Sequence, residues 1–406
     1  MERLISFLGI FILLGCCYLV SENKKKIDFK LVTIGILMQV IFAFVILKTK
    51  IGQAIFQKLS DIITALLDFS GHGAEFLFGN LVNVEAVGFI FAFKVLPTII
   101  FFSAFMAVLY HLGVMQFIIK HIAGVMAKFM GTSGAESLSS AANIFVGQTE
   151  APLVIKPYIE KMTRSELAAV MVGGMATVAG GVMAGYVGMG VSAGHLLAAS
   201  VMSAPAALVA AKIIVPETEE PVTKGEVKFE IEKIDANIID AAARGASEGL
   251  QLALNVAAML LAFVSLIAMI NVGFESIGNL VGIQGLTLEN ILGYLFAPFA
   301  FVMGVPTQDI VTAGSLLGQK TVINEFVAYA QLADHIANGT LLPRTIVILT
   351  YALCGFANFA SIAIQVGGIG SLAPNRRKDL AQLGVKALIG GTVAAFLTAT
   401  IAGMLI

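Results

Sequence analysis

The chain has no tryptophan, only 3 cysteines and 5 histidines, and just 13% charged residues among its 406. A soluble globular domain carries about 25% Asp, Glu, Lys and Arg. A charged fraction near half of that, beside 58% apolar residues, places the chain in a lipid bilayer. The formal charge of −1 lacks the basic excess that a nucleic-acid partner demands. Cys16, Cys17 and Cys354 all lie in apolar stretches. Two are adjacent, so they suggest neither a disulfide framework nor a metal site and read as apolar filler. The histidines show no H-E-x-x-H or other ligand spacing, which argues against zinc chemistry. Nor do a nucleophile, a base and an orienting group stand at usable spacing, so an enzyme is not expected. Without tryptophan, interfacial anchoring falls to Tyr and Phe.

What is present is a series of apolar runs. A span needs about 20 of them to cross a core ~30 Å thick. Eight candidates meet this: 3–20, 29–48, 87–110, 165–186, 193–213, 249–271, 342–364 and 383–405. The first lacks a basic leader and an A-x-A site, and reads as a retained span. Segments 51–67 and 114–129 set Lys or Asp opposite apolar residues, as interfacial helices do. Region 287–304 is ambiguous between an interfacial helix and a short span. The hydrophilic insertion 216–235 reads as a solvated loop between two halves. Lys and Arg concentrate on one side when both termini lie outside. Lys24, Lys25, Lys26, Lys30, Lys120, Lys128, the 212–244 loop, Arg376, Arg377 and Lys378 then fall inside.

Two stretches fit neither span nor loop. Residues 133–162 and 310–334 each have a polar, glycine-containing middle. Folded as two helical arms of about 12–14 residues, each arm reaches ~20 Å, enough to touch the midplane and return. Both read as re-entrant hairpins. The first carries Gln148, Thr149 and Glu150 at its tip and is followed by a span interrupted at GGMATVAGG, which holds Thr177. The second carries Glu325 and is followed by a span interrupted at CGFANFAS, which holds Asn358. An odd number of crossings separates them, so the two units are inverted. Paired interrupted helices in inverted halves point to the central site of a transporter, because irregular backbone at that depth survives only where it lines a cavity or is buried.

An intramembrane carboxylate is functional by default. Structural alternatives exist for each residue: a Glu150–Lys156 pair, a Glu325–Lys320 pair, helix capping by Gln148 and Thr149, and helix packing by Asn358 and Ser361. Phe356 is one of 28 phenylalanines and reads as core on composition alone. The glycine-rich run 180–194 lacks a dinucleotide fingerprint and reads as close helix packing. Two carboxylates, amides and hydroxyls suit a neutral solute rich in hydroxyl and N–H groups. Phosphate ligands would want more than the single Lys320 near the tips.

Four segments, GQTEAPLVIKPY, GGMATVAGG, KTVINEFVAY and CGFANFASIAIQ, closely resemble the signatures of concentrative nucleoside transporters of the bacterial, eight-span type. The resemblance runs over nearly the whole chain. It implies an all-α polytopic membrane protein with two re-entrant hairpins in an inverted repeat, assembled as a homotrimer in the bacterial cytoplasmic membrane. It implies a scaffold mainly in 1–130, a transport half in 131–215, the loop with a scaffold span and interfacial helix in 216–305, and a second transport half in 306–406. By the same resemblance, Gln148, Thr149, Glu150 and Val182 contact the base. Glu325, Asn358 and Ser361 bind the ribose, Phe356 packs beside it, and a leucine within 252–254 adds apolar contact. The coupling ion is expected to be Na+, held by the side chains of Asn143 and Thr177 and the carbonyls of Val146 and Val178, with no cofactor. An all-oxygen set suits a hard cation. The implied function is Na+-coupled import of nucleosides such as uridine by an elevator motion. The alternatives are proton coupling at Glu150 or a passive channel.

Overall fold

The computed structural model describes residues 1–225, 235–282 and 284–406. The middle of the 216–235 insertion lies outside these. Helices account for nearly all regular structure among the described residues: α1 Glu2–Leu19, α2 Phe29–Lys48, α3 Lys50–Phe78, α4 Leu96–His111, α5 Val114–Met130, α6 Gly134–Ala142, α7 Arg164–Ala176, α8 Gly180–Gly188, α9 Ala193–Ile214 and α10 Ile238–Val281. They continue with α11 Leu288–Val302, α12 Ile310–Val322, α13 Glu325–Asn338, α14 Pro343–Ala352, α15 Phe359–Leu372 and α16 Arg377–Leu405. Among the described residues, seven helical segments are long and apolar enough to cross a membrane. The eighth expected span, 342–364, is split into the 10-residue α14 and the 14-residue α15, so neither piece reaches spanning length.

Apolar patterning explains which helices sit inside. The best membrane window is 89% buried in Arg164–Gly188 and in Ala193–Ile214, but only 17% in Ile238–Leu280. Helices α7, α9 and α16 pack on one another and form the centre. Their interior is small: α9 buries Ala198, Ala199, Ala204, Ala206, Ala207, Ala210 and Ala211, which lets backbones approach closely. Helix α10 runs along α4 at the periphery, its Leu261 and Leu280 exposed as lipid-facing residues. Helices α1 and α2 pack on α16 and α9, so the first two spans belong spatially with the central group. At 44 residues α10 extends well past the expected 249–271, and α3 is 29 residues where 51–67 was expected.

The hairpins differ. The second has two full arms, α12 of 13 residues and α13 of 14, as its length predicts. The first has a nine-residue α6, an irregular tip, then a 3-10 turn Ala151–Ile155 and one α-turn Lys156–Ile159. A second long arm is absent there. Pro152 and Pro157 remove backbone donors and disfavour helix at the residues before them. Helix α11 does not stand alone as a span. It packs on α12, where Gly314 and Gly318 lie against Gly293 and Leu292.

Candidate functional site

Two breaks and two tips meet at the centre. Helix α7 ends at Thr177, whose extended backbone (φ −127, ψ 169) stops the helix before α8 begins. The second break runs from Leu353 to Asn358, between α14 and α15. They touch: Phe356 N–H donates to the Thr177 carbonyl at 3.2 Å. Gly355 has φ +154 and lies on Ala176 and the Met175 carbonyl, 2.8 Å from where a Cβ would stand. Only glycine tolerates both that dihedral and that approach. The first tip is tied to its own break by Gly180 N–H donating to the Phe145 carbonyl at 2.9 Å.

Asn358 is the N-cap of α15. Its Oδ1 accepts from Ser361 N–H at 2.9 Å, and its Nδ2 donates to Glu325 Oε2 at 3.0 Å. Ser361 Oγ then accepts from Gln148 Nε2 at 3.0 Å. A buried polar chain thus runs Glu325–Asn358–Ser361–Gln148, from the second tip to the first. Sequence reasoning missed two of its supports. Gln365, one turn after Ser361, donates Nε2 to Gln148 Oε1 and to the Met171 carbonyl, both at 3.0 Å. Tyr186, on α8, donates to Glu325 Oε1 at 3.4 Å and stacks on Tyr329 at 4.1 Å between ring centres. Gln365 stood in the quoted CGFANFASIAIQ, and its i+4 spacing from Ser361 was the available signal. Tyr186 lay within the glycine-rich run read as packing.

The two carboxylates are differently placed. Glu325 is buried at 5% exposure and opens the second arm, with backbone N–H groups of α13 beside it. Glu150 is exposed, its partner being Thr149 Oγ1 at 3.1 Å. Neither forms the ion pair considered from the sequence: Lys156 is exposed, and Lys320 Nζ donates to the Ala352 carbonyl at 2.8 Å. Val182 is buried on the first turn of α8, and Phe356 is half-buried. Of the leucines in 252–254, Leu252 faces α8, with Cδ2 at 3.6 Å from where a Gly181 Cβ would stand; Leu254 is exposed.

The oxygens expected to hold a cation also lie at the first tip and break. Asn143 caps the end of α6 and donates Nδ2 to the Ser139 carbonyl at 2.9 Å, while its buried Oδ1 has no partner. It sits against α7, with Nδ2 at 3.2 Å from where a Gly173 Cβ would stand. Thr177 Oγ1 donates to the Gly173 carbonyl at 2.9 Å, which leaves its lone pairs free. Val146 and Val178 are in non-helical backbone on either side. A neutral oxygen set with one member free to accept fits a monovalent hard cation.

Three family models match the chain: Na+ dependent nucleoside transporter N-terminus over residues 8–81, Nucleoside recognition over 92–193, and Na+ dependent nucleoside transporter C-terminus over 195–403. The uncharacterized transporter YutK of Bacillus subtilis is 50% identical over 407 residues, covering 100% of both proteins. Sodium/nucleoside cotransporter 1 of Rattus norvegicus is 41% identical, covering 100% of this chain and 64% of the rat protein. Among solved structures, CNTnw in an inward-facing substrate-bound state is 48% identical with a TM-score of 0.94, covering 100% of this chain and 98% of that one. A variant of CNTnw in an outward-facing state gives 0.96 with the same identity and coverage. With family models spanning most of its length and relatives of this identity over all of it, the chain belongs to the concentrative nucleoside transporters, a family of multi-pass membrane transporters rather than enzymes.

Proposed function

We propose that the protein is a sodium-coupled symporter that imports nucleosides such as uridine. The observation that carries this reading is the polar chain from Glu325 to Gln148, beside a hairpin whose Asn143 Oδ1 has no partner. A ribose offers two vicinal hydroxyls, which suit a carboxylate flanked by an amide and a serine hydroxyl: Glu325, Asn358 and Ser361. The base lies toward Gln148, Thr149, Glu150 and Val182, with Phe356 and Leu252 as apolar contacts. An anionic substrate is disfavoured because Lys320 is turned to a carbonyl. Sodium sits among Asn143, Thr177 and the carbonyls of Val146 and Val178.

The same hairpin then serves solute and ion, which is what coupling requires. One Na+ entering down ~100 mV releases about 2.3 kcal/mol, and a tenfold gradient adds about 1.4. Together they sustain roughly 500-fold accumulation of a neutral solute. The central group α7–α9 and α12–α16, with the first hairpin, forms the moving unit of an elevator. The packing of α1 and α2 on α9 and α16, and of α11 on α12, supports counting these helices with it, which leaves α3, α4, α5 and α10 as the scaffold in place of residues 1–130 and the 216–305 region. Glycines Gly181 and Gly185 of α8 face Ser103 and Ile99 of α4, giving a smooth surface on which to slide. Three copies assemble through their scaffolds in the bacterial cytoplasmic membrane, with both termini outside.

Labelled uridine uptake into proteoliposomes under an imposed Na+ gradient tests the proposal. Accumulation above equilibration only with Na+ is expected. Accumulation equally good with K+ and a pH gradient removes sodium, uptake that merely equilibrates favours a channel, and no uridine uptake removes the substrate.

A further inference from the structure

Lys320 has no task in the site as described, yet it is among the most completely buried side chains of the molecule, at 0% exposure. It lies in the last turn of α12, at the second tip. Burying an ammonium is costly, and more is asked of it at membrane depth. The Glu325 carboxylate is near enough to attract it, but the group that its Nζ bonds is the carboxyl end of α14, whose last residue is Ala352. A helix leaves its final four carbonyls without intrahelical donors and gathers about half a negative charge there. At α14 all four are accounted for. Leu349 and Tyr351 accept from Leu353 and Cys354 N–H at 2.9 and 3.2 Å. Thr350 accepts from Tyr329 OH at 2.7 Å, and Ala352 accepts from Lys320 Nζ at 2.8 Å.

The other half has the same construction without the amine. The first hairpin arm ends at Asn143, which packs on α7 just before its break. There Asn143 turns its Nδ2 away to Ser139 and leaves Oδ1 without a partner. Each half therefore sets the end of a hairpin arm against the carboxyl end of a broken helix. One junction is lined by oxygens alone, and the other contains an amine of the chain.

We infer that Lys320 is a tethered cation: its ammonium occupies, in the second half, the helix-end site that the coupling ion occupies in the first. This rests on the sodium reading above. It makes Lys320 a positioning residue, because it holds the end of α14, and through it the break that carries Asn358, in place with no ion. It also sets the coupling at one ion per protomer. Shortening Lys320 opens a second site, lined by the Ala352 carbonyl, for a small monovalent cation such as Na+ or an alkylammonium.

The experiment compares the full-length wild type with Lys320→Ala and Lys320→Met, reconstituted in proteoliposomes, by measuring labelled Na+ and uridine fluxes over a Na+ titration with and without methylammonium. For Lys320→Ala, the Na+ dependence should turn from hyperbolic to sigmoidal, the Na+:uridine ratio should double, and methylammonium should return both to wild-type form. Lys320→Met fills the space but leaves the carbonyl unpartnered, so its uptake should fall and neither cation should restore it. Single-ion coupling by Lys320→Ala without methylammonium, or wild-type uptake by Lys320→Met, overturns the inference. Thermal unfolding of the purified chains gives a reading even where uptake is lost. Lys320→Ala should gain a stabilisation by Na+ larger than the wild type's and one by methylammonium that the wild type lacks, and no gain in either overturns the inference. Failure of the wild type to show Na+-dependent uridine uptake defeats the sodium reading instead, and is seen in the control alone.

Discussion

At the second tip, Glu325 is buried and already takes hydrogen bonds from Asn358 and Tyr186. At the first, Glu150 is exposed and is met by its neighbour Thr149. The second hairpin has two continuous arms, whereas the first replaces its return arm with short turns around Pro152 and Pro157. Both tips keep an unpartnered buried atom, Asn324 Nδ2 at the second and Asn143 Oδ1 at the first. They differ in their carboxylates: Glu325 is buried and oriented by two donors before any solute arrives, whereas Glu150 is exposed and keeps open valences. A symporter needs both properties. A preorganised carboxylate lowers the ordering cost of binding, and a tip with unsatisfied groups can be completed only when solute and ion are present together. Such mutual completion is a coupling free energy.

The strongest way to break this contrast is at the second tip. Glu325→Gln keeps the volume, removes the charge, and offers one amide oxygen where Asn358 Nδ2 and Tyr186 OH had two carboxylate oxygens, so one of these donors faces an NH2. Hydrogen bonds to a charged group contribute about 1.5–3 kcal/mol each, so losing charge-assisted contacts to a ribose should cut uridine uptake by about 100-fold. The variant should still fold, since an amide is cheaper to bury than a carboxylate. Wild-type uptake in Glu325→Gln would remove the residue from the site.

Glu150→Gln should do less, because the exposed carboxylate is screened and gains only on completion. A rise of about tenfold in the KM for uridine is expected, with Na+ still required. Loss of Na+ dependence in this variant, measured in the same vesicles, would instead make Glu150 part of the ion coupling.

Much of the contrast was legible as polarity out of place: acidic tips and interrupted helices in an apolar chain, hence the hairpins and the breaks. The shape of the first return arm was not, although its prolines were in plain view. Their effect depends on which backbone donors the surroundings can replace. Lys320 stood five positions before Glu325 and invited a local pair, but the hairpin turn between them sends its amine to Ala352. Hydropathy marks α1 and α2 as spans without saying which helices they pack against, so their place beside α9 and α16 could not be read. Gln365 and Tyr186 look like packing residues in any apolar helix. Only the fold brings them to Gln148 and Glu325.

Gln365 gives a finer test, since it holds the open tip's one ordered amide. Gln365→Leu removes the bonds to Gln148 Oε1 and the Met171 carbonyl. At about 1 kcal/mol for the net loss, uridine KM should rise roughly fivefold through a disordered Gln148. Replacing Gln148 by Leu should cost less in this background than in the wild type, because the two residues are coupled. Additive losses in the double variant would show that Gln365 acts elsewhere.

The smallest effect lies far from both tips, where the halves are tied at the membrane face. Glu22, in the turn between α1 and α2, pairs with Arg164 at the start of α7 at 3.0 Å and with Lys386 of α16 at 2.7 Å. The Arg164 hydrogen bond, helped by Lys386 and opposed by partial burial, holds the Glu22 carboxyl below its ordinary range. A depressed carboxyl contributes stability that is fully present above the unfolded-state pKa of about 4.3 and fades as pH falls through the lower folded value. The groups are partly exposed, so the contribution should stay within about 1 kcal/mol. Thermal unfolding in detergent should therefore show no effect of Glu22 between pH 6 and 8 beyond a constant offset. Below pH ~4 the wild type should lose that advantage and converge on Glu22→Gln. An offset that persists at low pH would mean that Glu22 stabilises through packing. Uridine uptake at pH 7 should be almost unchanged in Glu22→Gln, because the tie joins the halves where neither solute nor ion is held.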